Sequence, residues 1–201
     1  MGTRLHASHG WVQCYRVGKE AEGYVLGLLR SERVNGFGLR LSAAGSSAEA
    51  QAEQRRGDVL DVENELGWEV KRDCKAFDTL NLAVELQRKN ANLPRVHRST
   101  YGGTRGPTHV LARQPSGLRW TTAQETVYVL DSDTLETQAV ARRFGLPTGK
   151  VALFFRTEEL LALAESNVAR KVWGGDKGRT QCALVPLAEA MKVCRWVWGA
   201  W

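Results

Sequence analysis

The stretch DVLDVENELGWEVKRD, residues 58–73, decides how the chain is read. Two short runs of alternating apolar and polar residues enclose the polar segment Glu63-Asn64-Glu65 and Gly67, the pattern of a β-hairpin. Its strands are expected at 58–62 and 68–73. A turn centred between residues 64 and 65 sets Asp58 opposite Lys71. Side chains alternate between the two faces of a strand, so Glu69 and Lys71 share a face with Asp58. Asp73 has the same parity, whereas Asp61, Trp68 and Val70 turn to the other side.

Upstream, residues 18–31 (GKEAEGYVLGLLRS) place Ala21, Tyr24, Val25, Leu28 and Leu29 at helical spacing. Residues 36–42 alternate as a half-buried strand, and 43–56 read as a loop or a solvated helix. Downstream, strands are expected at 80–87, 127–131, 151–155 and 182–186. Helices are expected at 121–125, at 135–144 closed by Gly145 and Pro147, at 157–169 capped by Thr157, and at 187–193. Strands in a row followed by mixed elements point to an α/β domain, here one domain over 1–201. Residues 88–114 form a long basic loop, and an irregular stretch of this length is usually functional. The 187–201 segment is rich in tryptophan (Trp196, Trp198, Trp201) and reads as docking on the domain or on a second subunit.

Composition narrows the classes. With 43% hydrophobic and 25% charged residues, the 201-residue chain is globular rather than disordered. It has no apolar run long enough to span a bilayer, and its start lacks the layout of a signal peptide. A cytoplasmic location and no membrane partner are therefore expected. The net charge of +6 favours a polyanionic partner. The cysteines (Cys14, Cys74, Cys182, Cys194) form no CxxC pair, which argues against a zinc ribbon. The histidines form no HxxxH pair, and Gly102-Gly103-Thr104-Arg105-Gly106 lacks the ending of a phosphate loop. Ser116 is not in a GxSxG elbow, so a serine hydrolase is not indicated.

Two acids and an amine on one patch suit phosphodiester hydrolysis. That reaction needs a divalent cation, an activated water and a counter-charge for the transition state. Mg²⁺ takes one or two carboxylates and leaves its other positions to water and phosphate. The same spacing also describes an ordinary surface hairpin with a cross-strand Asp–Lys pair, worth a few tenths of a kcal/mol.

Beyond spacing, the motifs WEVKRD (68–73), LNLAVE (80–85) and PSGL (115–118) resemble small phage and microbial members of the PD-(D/E)xK nuclease superfamily. Gly174-Gly175-Asp176 and Leu184-Val185-Pro186 extend the resemblance over most of 18–190. It implies a restriction-endonuclease-like αβββαβ core, here 18–131, with a mixed central sheet flanked by helices. It implies a DNA endonuclease using Mg²⁺, with Mn²⁺ as substitute. Asp58 and Glu69 would hold the metal, helped by the Val70 carbonyl and by an acid of the first helix, Glu22 in preference to Glu20. Lys71 would position the water. Asp73, Glu85, Gln87 and Ser116 would stand behind these residues. An alternative register takes Asp73 as first acid and Glu85-Leu86-Gln87 in place of the ExK motif. Arg88, Lys89, Arg95, Arg98, Arg105 and Arg113, around Tyr101, would track DNA phosphates. Two departures matter. Asp78-Thr79-Leu80-Asn81 replaces the usual TGN, and the lysine expected after SGL is missing, with Arg119 as its substitute. A homodimer is expected because two cuts on a duplex call for two sites. The rival readings are a nucleic-acid-binding module of the same fold with a degraded site, and a phage-type assembly protein.

Overall fold

The computed structural model describes residues 5–30, 38–40, 48–89, 113–174 and 180–199. The chain runs α1 (Leu5–Leu29), β1 (Gly38–Arg40), α2 (Ala48–Arg55), β2 (Val59–Asp61), β3 (Leu66–Arg72), α3 (Ala76–Thr79), β4 (Asn81–Lys89) and β5 (Arg113–Pro115). A 3₁₀ turn at Gly117–Arg119 leads to β6 (Glu125–Ser132), α4 (Leu135–Arg143), β7 (Gly149–Arg156) and α5 (Thr157–Glu165). Strands β8 (Arg170–Gly174) and β9 (Thr180–Pro186), α6 (Leu187–Val193) and β10 (Trp196–Gly199) complete it.

The fold is mixed α/β with a mixed central sheet flanked by helices. That sheet has the order β1-β2-β3-β6-β7-β10. β1, β2 and β3 form an antiparallel meander, β6 then lies parallel to β3 with Tyr128 beside Lys71, and the remaining pairs are antiparallel. The apolar stripe of α1 (Ala21, Val25, Leu28, Leu29) covers one face, packing on Val59, Trp68, Val70, Val127 and Val129. This is the face to which Trp68 and Val70 were expected to turn. Each fully buried side chain of this kind contributes about 1.5–3 kcal/mol over its exposed state.

A second sheet, order β5-β4-β9-β8, covers part of the opposite face. Leu82, Val84, Ala183 and Val185 point into a core shared with Tyr128, Leu130, Leu153 and Phe155, and with Leu160 and Ala164 of α5 and Leu187 and Ala190 of α6. Two bonds show that β4 rests by its edge on the central sheet. The Ala83 N–H donates to Asp73 Oδ2 at 2.9 Å, and the Tyr128 hydroxyl donates to the Ala83 carbonyl at 3.0 Å.

Several expected elements differ. Residues 121–125 form no helix; the Thr121 and Thr122 hydroxyls and the Thr122 N–H all bond to the Arg55 carbonyl instead. The helix expected at 157–169 ends at Glu165, and its cap lacks a side-chain bond. Thr157 instead pairs its hydroxyl with that of Thr126 at 2.9 Å, inside the protein. α2 is the solvated alternative offered for 43–56. The tryptophan-rich end is a strand: β10 closes the central sheet beside β7, and Trp196 stacks on Phe154 at 4.0 Å. Among the described residues no helix is long and apolar enough to cross a membrane. Cys74, Cys182 and Cys194 are free thiols.

Candidate functional site

Asp58 enters β2 from a tight corner. Gly57 has φ +112, and a Cβ there would lie 2.6 Å from the Trp68 carbonyl oxygen, so the position requires glycine. The Asp58 N–H donates to that carbonyl at 2.8 Å. Its carboxylate Oδ2 accepts the Val70 N–H at 2.9 Å.

The hairpin register differs from the expected one. β2 and β3 pair Val59 with Trp68 and Asp61 with Leu66, a ladder that begins at Val59 and is shifted by two residues from the one that would set Asp58 opposite Lys71. The turn is shorter because Asp61 caps it, accepting the N–H and the side-chain amide of Asn64 at 3.2 and 2.8 Å. Glu65 takes a positive φ of 53 to close it. A slip of two residues preserves parity, so Glu69 and Lys71 keep the face of Asp58.

Glu69 and Lys71 are an ion pair, Nζ to Oε1 at 2.5 Å, with side chains 10% and 32% exposed. Burial and then the charge of Glu69 push Asp58 from its ordinary 3.8 up to about 6, with a smaller push from Glu22; Lys71 and the Val70 N–H pull the other way. Burial disfavours the Lys71 ammonium, but Glu69, Asp58 and Glu85 outweigh it and hold the group above the ordinary lysine value. Lys71 is therefore a fixed cation at neutral pH, not a base.

The Val70 carbonyl leaves β3 toward Asp58. The Trp68 carbonyl, two residues earlier, bonds Asp58 on that edge, and the Val70 N–H does so too. Of the two acids weighed on α1, Glu22 is buried, bonded to Lys19 at 2.7 Å, and close enough to act on Asp58. Glu20 is tied to Arg72 at 3.0 Å, and Arg72 also holds Asp131 at 2.8 Å.

Glu85 stands on β4, on the side of that strand turned away from the shared core. Its carboxylate accepts the Ser116 hydroxyl, and the Ser116 N–H donates to the Leu86 carbonyl at 3.1 Å. Gly117, at φ +54, lets the turn press against the Glu85 backbone; a Cβ there would lie 2.5 Å from the Glu85 carbonyl oxygen. The SGL motif thus clamps onto Glu85.

Other expected residues are placed differently. Asp73 engages the backbone at both oxygens, accepting the N–H groups of Lys75 and Ala83 at 2.9 Å each. Gln87 bonds Gln181. Arg119 pairs with Glu165 at 2.7 Å. Arg88 is exposed, and Lys89 lies over the Trp173 ring at 4.2 Å. Arg95, Arg98, Tyr101 and Arg105 lie outside the described residues, as do Gly175 and Asp176. Arg113 is described only by its backbone, paired with Lys89.

Tyr128 was missed from the sequence. It lies beside Lys71 in the parallel ladder, and burial pushes its hydroxyl well above the ordinary phenol value, so it remains a donor. A polar-tipped residue inside the apolar run VYVLD was the available signal.

Among the described residues no three His, Cys, Asp or Glu side chains are gathered as a ready metal cage. No protein-family model matches the sequence, and no curated protein and no solved structure is detectably similar to it.

Proposed function

We propose that the protein is a metal-dependent nuclease of the PD-(D/E)xK type, hydrolysing DNA phosphodiester bonds at Asp58, Glu69 and Lys71. One observation carries the reading. Two acids and an ammonium are gathered by adjacent strands, and burial followed by the charge of Glu69 raises Asp58 to about 6 against the opposing pull of Lys71. The element order supports it in part: a helix, three strands adjacent in the central sheet and a later strand parallel to the third are in keeping with the αβββαβ core that the resemblance implies, with α2 added between the first two strands and β4 and β5 before the fourth.

The donor set suits a hard divalent cation. Asp58 and Glu69 would hold Mg²⁺ or Mn²⁺ with the Val70 carbonyl, and a site of two carboxylates is the protein share Mg²⁺ usually takes. When bound, the ion supplies Lewis-acid stabilisation of phosphoryl oxygens and lowers the pKa of water. Lys71 orients the attacking water and offsets charge developing on the phosphate, because its ammonium is permanent. Glu69 fixes that ammonium by their ion pair, and the Val70 N–H fixes Asp58.

The test is relaxation or linearisation of supercoiled plasmid by the purified protein in Mg²⁺, compared with EDTA. Cleavage in Mg²⁺ alone is expected. Cleavage that persists in EDTA contradicts the reading, and DNA binding without cleavage replaces it with a binding module of the same fold.

A further inference from the structure

The second sheet has a face that the shared core does not use. Glu85, Cys182 and Val172 stand side by side across β4, β9 and β8. Ala83, Leu184 and Arg170 form the next row on the same face. Beyond the bulge between Glu85 and Gln87, Arg88 pairs with Thr180, which lies on the Cys182 and Leu184 side of β9. The opposite side of β9 carries Ala183 and Val185, both fully buried. On this other face Arg88, Arg170 and Ala83 are exposed, and Val172, Cys182 and Leu184 are half-buried.

The face adjoins the candidate site. β4 meets β3 and β6 edge-on through Asp73, Ala83 and Tyr128, and Glu85 on this face acts on the Lys71 ammonium. Arg88 and Arg170 have no partner among the described residues, unlike Arg72, Arg119, Arg156 and Arg195, which are all paired with acids. From Glu85, Arg88 is three residues along the strand, about 10 Å away, and Arg170 is two strands across and two residues along, about 12 Å away. Among the described residues the acid on the face is Glu85, whose carboxylate is engaged by Ser116.

We propose that this face is the second wall of the DNA site, with Arg88 and Arg170 each neutralising a backbone phosphate of a duplex held at Lys71. The proposal rests on the nuclease reading. Charge complementarity selects the occupant: two guanidiniums with no acidic partner among the described residues, on a half-apolar sheet face, fit the bidentate geometry of phosphate. The chain also carries a net charge of +6.

The experiment is fluorescence anisotropy of a labelled 20-base-pair duplex with the full chain in EDTA, titrated between about 50 and 300 mM KCl, where each phosphate contact contributes about 0.9 to the slope of log K against log salt. Arg88→Ala and Arg170→Ala are each expected to lower that slope by about 0.9 and to weaken binding at the lowest salt. Arg142→Ala, an exposed arginine on α4, is the control and should leave it unchanged. Wild-type binding with unaltered slopes in both variants overturns the inference, as does an equal loss in the control. Wild-type protein that does not bind at low salt overturns the nuclease reading itself.

Discussion

The carboxylate of Asp58, just ahead of β2, accepts the N–H of Val70 on β3 at 2.9 Å, so the first acid is bonded to the residue that separates Glu69 from Lys71. Neither acid can move without the other strand. The charge on Asp58 nevertheless costs stability. Its folded pKa lies near 6, above the ordinary 3.8, so the folded protein retains a proton that the unfolded chain releases. Stability therefore falls as pH rises from about 4 to about 6 and stays reduced above that. Asp58→Asn removes the charge and keeps an acceptor for Val70. In EDTA at pH 7 it should be about 1–2 kcal/mol more stable than wild type by urea unfolding, after discounting for partial exposure. The gain should vanish near pH 4. Asp58→Ala should fall about 1–3 kcal/mol below Asp58→Asn, because the Val70 N–H loses its acceptor.

Much of this hairpin was legible in the sequence, and one part was not. Parity is a property of any strand, so the shared face of Asp58, Glu69 and Lys71 could be read from spacing alone. The register could not, because it depends on Asp61 folding back over Asn64, which shortens the turn. The helix and strand periods at α1, β6, β7 and α6 were visible in their apolar residues. The second sheet was hidden because β8 is short and charged at its start (Arg170, Lys171) and β5 is only three residues long. β10 was hidden because aromatic residues signal burial without stating what they pair with.

The charges of Glu69, Asp58 and Glu85 all act on Lys71, and its loss should be felt before any chemistry. Lys71→Met leaves Glu69, Asp58 and Glu85 without their shared counter-charge. A loss of about 1–2 kcal/mol in EDTA at pH 7 is expected, less than for a fully buried pair because the side chain is 32% exposed. Chemical denaturation at pH 7 and pH 4 checks the cause, since the deficit should shrink as Asp58 is protonated.

Two glycines act through close approach rather than flexibility. Gly57→Ala sets a Cβ against the Trp68 carbonyl at φ +112, and Gly117→Ala sets one against the Glu85 carbonyl at φ +54. Each should cost about 1–3 kcal/mol in urea unfolding. Only Gly57→Ala displaces Asp58, so its DNA cleavage should fall further than its stability explains.

The bond from Tyr128 to Ala83 pins β4 to the central sheet. Tyr128→Phe keeps the ring in the core and removes that bond, and it should cost about 1 kcal/mol. Hydrogen exchange should rise at residues 81–85 while the β6 and β7 amides stay protected.

The most direct measurement is the rate of plasmid cleavage by Glu69→Gln in saturating Mg²⁺, beside wild type at the same concentration. Glutamine keeps the shape and a hydrogen bond to Lys71 and loses only the charge. A cation-holding role for Glu69 requires a cleavage rate lower by at least about 100-fold with the fold intact by circular dichroism. A rate within a few-fold of wild type would contradict it, since the acid said to hold the cation would then be dispensable.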